Sequence, residues 1–182
     1  MNNKKLVRYL CEAAVIAALY TVLTYIAAAW NLAYGSVQFR FSEALTILPI
    51  FTPAAIPGLT LGCFLSNLGS TLGIVDWVFG TLATFLAAVT GRMLRKIEVA
   101  NIPVLSILMP VLFNAVIVGF ELICLSDSGS FAFTNANMSI FIPTALSVGI
   151  GELVVLVVLG IPLTLAIKKN HALEKIFSGG NA

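Results

Sequence analysis

The sequence predicts an all-α integral membrane protein: one domain, residues 1–182, built as a bundle of six transmembrane helices with both termini in the cytoplasm. Three observations predict it. The chain is 59% hydrophobic and only 10% charged, with a mean hydropathy of +1.03, whereas a soluble domain carries about 25% charged residues. Its apolar residues form runs long enough to cross hydrocarbon, which takes about 20 residues. Its basic residues, finally, collect at the ends of alternate runs. Lipid is the solvent this surface suits, and the expected location is the cell membrane, multi-pass.

Residues 6–30 form the first run, preceded by Lys4, Lys5 and Arg8. A cleaved signal peptide has an apolar core of roughly 7–15 residues, so this longer run reads as a first span. Residues 41–75 are again apolar but interrupted by Pro49, Pro53 and Pro57. As helix they would extend roughly 52 Å at about 1.5 Å per residue, just enough for a tight hairpin of two short spans turning near residues 53–58. A re-entrant loop is the rival reading. Residues 77–94, 103–125 and 138–167 supply the remaining spans, with a short polar connection at 98–102 and a polar loop at 126–137.

Charge sets the orientation. Lys4, Lys5 and Arg8, then Arg92, Arg95 and Lys96, then Lys168, Lys169 and Lys175 all fall on one side of such a bundle, which the positive-inside rule makes cytoplasmic. Arg40 alone lies opposite.

Several functions are disfavoured. No basic stripe suits nucleic acid. Cys11, Cys63 and Cys124 sit in apolar runs, and the single histidine, His171, has no second ligand at metal spacing, so no metal or other cofactor is expected. No phosphate-binding Gly-x-x-x-x-Gly-Lys-Ser/Thr loop, His-Glu-x-x-His or Gly-x-Ser-x-Gly occurs, and no catalytic residues are assigned. The two halves show no inverted repeat of the kind many secondary transporters carry. An energised transporter of this size would need other subunits.

Polar residues in this apolar chain therefore stand out. Residues 36–49 place Gln38, Arg40 and Glu43 among Phe39 and Phe41 at the first outer loop. Asp76 and Trp77 open the fourth span, Asn67 lies in the outer half of the third, and Glu121 lies one turn below the outer end of the fifth. They share one depth, and intramembrane charges normally face a bundle's interior, so an outward-facing pocket is expected. Simpler roles compete: Arg40 and Glu43 could pair with each other, and Glu43 and Asp76 could serve helix N-terminal dipoles. Trp30 and Trp77 could be interface aromatics, and Glu152 and Asn114 could be interhelical hydrogen-bond partners. Glu121, near a helix C-terminus, has no such alternative. Small residues at four-residue spacing (Ala13, Ala14, Ala17 and Ala18; Gly58 with Gly62; Gly69 with Gly73) suit close helix packing, within the chain or against a membrane partner.

The segment Val37-Gln38-Phe39-Arg40-Phe41-Ser42-Glu43-Ala44-Leu45, followed by Leu48-Pro49, resembles the signature of the QueT family. Length and helix layout extend the resemblance over essentially the whole chain. QueT proteins are substrate-binding S components of energy-coupling factor (ECF) transporters for queuosine precursors of the 7-deazaguanine type. The resemblance implies an S-component bundle and no enzymatic activity of its own. It implies docking through Ala13, Ala14, Ala17 and Ala18 on a transmembrane coupling subunit powered by two ATPases.

A guanine-like base offers two neighbouring N–H donors and a carbonyl. Glu43 or Glu121 could accept the donors, and Gln38, Asn67 or Arg40 could donate to the carbonyl. Trp77 or Phe39 could stack on the ring, and Asp76 could meet a cationic aminomethyl group. The alternatives are an S component for another small nutrient or vitamin, a membrane-embedded enzyme using the outer carboxylates, or a scaffold whose polar residues only pack helices.

Overall fold

Each apolar run forms helix, but not all in the same way. The computed structural model describes residues 3–33, 38–99, 102–126 and 130–170. Its helices are α1 (Asn3–Ala29), α2 (Ala55–Asn67), α3 (Ile74–Leu94), α4 (Val104–Ile123) and α5 (Met138–Lys169), with a 3-10 helix at Phe41–Ile50 between α1 and α2. No β-strand occurs among the described residues. α1, α3, α4 and α5 are long and apolar enough to cross a membrane. The 3-10 helix and α2 each reach about 20 Å, about two-thirds of the hydrocarbon thickness.

This pair replaces the two α-helical spans expected between residues 41 and 75. Ten residues of 3-10 helix are unusual, since such runs rarely exceed one turn. Pro49 lies within it, and the Thr46 hydroxyl donates to the Glu43 carbonyl at 2.6 Å. The turn also comes earlier than expected, closing by Ala54. Pro57 sits in the first turn of α2, where its missing N–H leaves no bond unmade, and Gly58 is helical. α4 and α5 each contain one widened turn, at Asn114–Val118 and Leu156–Gly160. Pro110 precedes the first and Pro162 follows the second, and such turns frequently mark functional sites.

The small residues divide between two uses. Ala13 and Ala17 are buried against α2. A Cβ on Gly58 would come within 2.8 Å of the Ala13 carbonyl oxygen, and one on Gly62 within 2.9 Å of the Ala17 carbonyl oxygen. Ala14 and Ala18, one residue further round, are exposed. The other glycine pair does not pack helices: α2 ends at Asn67, so Gly69 and Gly73 fall in the α2–α3 connection. Gly73 takes a φ of +63° there, immediately before α3, a conformation glycine tolerates best.

Between the helices lies a core around Ile16, Tyr20, Ile47, Leu59, Cys63 and Leu156. Large apolar side chains such as Val15, Leu19, Val22, Ile142, Leu146 and Val158 point outward instead, while Arg40, Glu43, Asp76, Glu121 and Glu152 are inside. Apolar groups outside and charges inside invert the soluble pattern, as lipid requires. The bundle's ends also differ. One carries Arg92, whose Nη1 donates to the Pro49 carbonyl at 2.8 Å, and the Lys168–Glu98 ion pair at 2.6 Å. The other is formed by the α1–3-10 and α2–α3 connections and carries Arg40. Lys175 and His171, both part of the sequence reading, lie outside the described residues, as do Ser36 and Val37.

Candidate functional site

Arg40 immediately precedes the 3-10 helix, and its guanidinium is held from three directions. Nε donates to the Ala33 carbonyl at 2.8 Å, Nη1 donates to Asn67 Oδ1 at 3.0 Å, and Nη2 lies 3.6 Å from Asp76 Oδ2. Asn67, at the end of α2, passes the chain of contacts on by donating from Nδ2 to the Asp76 carbonyl oxygen at 2.9 Å. Asp76 lies in the first turn of α3, where a carboxylate also suits the helix dipole. Gly80 makes room for this group, since a Cβ there would sit 2.6 Å from Asn67 Nδ2 and 3.1 Å from Asp76 Oδ1. Arg40 and Glu43 therefore do not pair as neighbours on one helix. Arg40 reaches across to α2 and α3.

Glu43 turns toward α1, where the Tyr20 hydroxyl donates to Oε1. Its other oxygen, Oε2, has no donor. Glu152 on α5 is buried as well and within electrostatic range of Glu43, and Glu152 Oε1 likewise has no donor. Thr24 donates to Ser42 Oγ at 2.7 Å, fixing the start of the 3-10 helix against α1.

Glu121 stands apart. Its side chain is inaccessible to solvent, and neither carboxylate oxygen meets a donor. Arg40 and Asp76 are within electrostatic range of it, so it faces the same interior. Buried polar atoms are nearly always hydrogen-bonded, and leaving one unmade costs about 1–3 kcal/mol.

The other expected residues are placed differently. The backbone at Gln38 rests on α5, where a Cβ on Gly151 would come 2.4 Å from the Gln38 carbonyl oxygen; its side chain is half-buried. Trp77 is half-buried on the α2–α3 seam, its ring edge-on to Phe64 at 6.3 Å and its indole N–H without an acceptor. Phe39 donates its backbone N–H to Leu32 at 2.8 Å. Ala14 and Ala18 lie on the outer face of α1, remote from the carboxylates.

Two parts of the site escaped the sequence reading. Tyr20 is one of many residues in an apolar run; only the buried spacing Ile16, Tyr20, Thr24, Ala27 marks its face. Glu152 and Asn114 were read as possible interhelical hydrogen-bond partners, and both are buried, Glu152 within electrostatic range of Glu43. An aromatic cluster also forms at this end of the bundle: Phe79 of α3 lies 5.6 Å from Phe131, which lies 5.2 Å from Phe133, itself 6.5 Å from Phe120, the chain neighbour of Glu121. Phenylalanines are too common here for sequence to single these four out.

An apolar exterior around an enclosed guanidinium, four carboxyls and two amides defines a multi-pass membrane protein with an internal polar site. The model of the QueT transporter family matches residues 10–169, and the chain belongs to that family, one of transporters and not of enzymes. A curated relative, "Queuosine precursor transporter QueT" of Lactococcus lactis subsp. cremoris (strain MG1363), is 37% identical over 81 residues, 44% of this chain and 47% of the relative. The match thus spans about half the length of that relative. No solved structure matches.

Proposed function

We propose that the chain captures a queuosine precursor of the 7-deazaguanine type from outside the cell and delivers it inward as the S component of an ECF importer. Glu121 carries this reading. Two unmet acceptors on one buried carboxylate match the adjacent N1–H and exocyclic amine of a guanine edge. Gln38, or an N–H of the Arg40–Asn67 group, faces the base carbonyl. Aromatic surface for stacking comes from Trp77, packed edge-on to Phe64, or from the cluster of Phe79, Phe120, Phe131 and Phe133 that includes the chain neighbour of Glu121. Membership of the QueT family and the name of the Lactococcus relative support the substrate class.

In this reading the chain is a single six-helix domain, with the short 3-10 helix and α2 counted as its second and third members. The Arg40 end faces outward and both termini are cytoplasmic. The concentration of basic residues at the opposite end supports that orientation. The energy source is a separate transmembrane coupling subunit with two ATPases. The exposed Ala14 and Ala18 form the docking edge, because Ala13 and Ala17 are already occupied by α2. An apolar groove of about 540 Å³ adjoins that edge, lined by residues including Val15, Leu19, Leu45 and Leu163.

Thermal-shift measurements on detergent-purified protein with 7-deazaguanine compounds test the proposal. Specific binding adds about 2.7 kcal/mol of stability at a hundredfold excess over Kd. Stabilisation by a vitamin and by no deazaguanine would favour an S component for another nutrient.

A further inference from the structure

We infer that Glu12 of α1 is a recognition point for a membrane partner: the groove beside it takes a helix bearing a basic side chain, which pairs with the Glu12 carboxylate. The inference rests on the proposed docking on a coupling subunit and names the chemistry by which that subunit is recognised.

Three elements build the groove, about 540 Å³ in volume. α1 supplies one wall with Glu12, Val15 and Leu19, the end of α5 supplies the other with Leu163, and Leu45 and Leu48 of the 3-10 helix line it between them. Val15 and Leu19 remain 58% and 49% exposed, so the described chain leaves the groove open. Glu12, Val15 and Leu19 recur at three- and four-residue spacing along α1. A helix laid beside α1 meets all three, and a helix in an apolar groove is a common mode of recognition. Ala14 and Ala18 on the adjoining face are exposed and small enough for close approach.

Glu12 specifies what that helix carries. The groove is apolar except for Arg8, Cys11 and Glu12. Glu12 Oε1 is buried and accepts no hydrogen bond among the described residues, from Arg8 one turn earlier or from any other group. α1, with 27 residues, is about 40 Å long, the thickness of a bilayer with its headgroups. Glu12 lies about 14 Å from its start, inside the hydrocarbon. Lipid tails carry no donor, and headgroups stay at the helix end. Charges at such depth pair with one another, and a lysine or arginine on the incoming helix brings both the donor and the opposite charge. The one occupant covers the apolar walls and meets the carboxylate.

Co-purification tests this, with the tagged full-length chain expressed together with the coupling subunit and both ATPases of its own organism. Glu12→Gln should lower recovery of the coupling subunit about tenfold or more, because it strands the partner's charge in a desolvated interface. Glu12→Leu should lower recovery as much, although it makes the groove more apolar. Both variants purified alone should melt no lower than the wild type, which separates lost docking from lost folding. Unchanged or increased recovery with both, while Ala14→Leu still prevents docking, would overturn the pairing and leave the coupling-subunit reading intact. Absence of the coupling subunit from the wild-type preparation would remove the reading and the inference together. A wild-type dimer by light scattering that Glu12→Gln converts to monomer would assign the groove to a second copy of this chain and overturn the proposed occupant.

Discussion

Arg40, Asn67 and Asp76 are buried as deeply as Glu43, Glu121 and Glu152, yet the two groups differ in what satisfies them. In the first, donors and acceptors from three parts of the chain meet one another: guanidinium on amide and carboxylate, amide on backbone carbonyl. In the second, four carboxylate oxygens have no donor: one each on Glu43 and Glu152, and both on Glu121. Unmet polar atoms destabilise a fold, so they persist where something other than the chain completes them. In the proposed reading the first group is framework and the second receptor.

Arg40→Met offers the sharpest way to break that division. Removing one partner of a buried ion pair costs about 3–5 kcal/mol because the other charge is stranded. The variant should unfold well below the wild type in a detergent melt with no ligand present. An unchanged melting temperature would show that the Arg40 group is not framework. Glu121→Gln should behave oppositely. Its ligand-free stability should hold or rise, while affinity for the deazaguanine falls about ten- to a hundredfold, each hydrogen bond to a charged group being worth about 1.5–3 kcal/mol. Undiminished affinity by calorimetry would remove Glu121 from the receptor group.

Smaller effects sharpen the boundary. Gly80→Ala inserts a methyl 2.6 Å from Asn67 Nδ2, so it should cost about 1–3 kcal/mol by overpacking, read as a lower melting temperature. On α1, Ala17→Leu should loosen the seam with α2, whereas Ala14→Leu should leave stability within about 0.5 kcal/mol. Ala14→Leu should still lower cellular uptake if the exposed edge docks on a coupling subunit. Normal uptake would send the docking site elsewhere.

What could be read from sequence follows the same divide between local and distant. The four long helices were legible because twenty apolar residues leave few choices in lipid. The burial of Arg40 and Glu43 was legible because charge facing lipid is costly. Partners were not. Arg40 and Glu43 are three residues apart, a spacing that let them pair, but Arg40 turns to Asn67 and Asp76 while Glu43 turns to Tyr20. Contacts that span 27 or 23 residues of chain leave no trace in local periodicity. Gly69 and Gly73 misled for a related reason. Their spacing fits a helix face, but the chain had already left α2 to build a turn.

The 3-10 geometry of Phe41–Ile50 has a mechanical side. At three residues per turn, side chains three apart eclipse one another, so Glu43, Thr46 and Pro49 line up along a single edge. Glu43 stands at one end among the unsatisfied carboxyls. The Pro49 carbonyl stands at the other, gripped by Arg92 at the basic end of the bundle. Between those two points the segment is a strut about 12 Å long, with one tip at the buried carboxyls and the other tied to α3. A ligand that displaced Glu43 would in this arrangement have a short rod to act on, ending at Arg92.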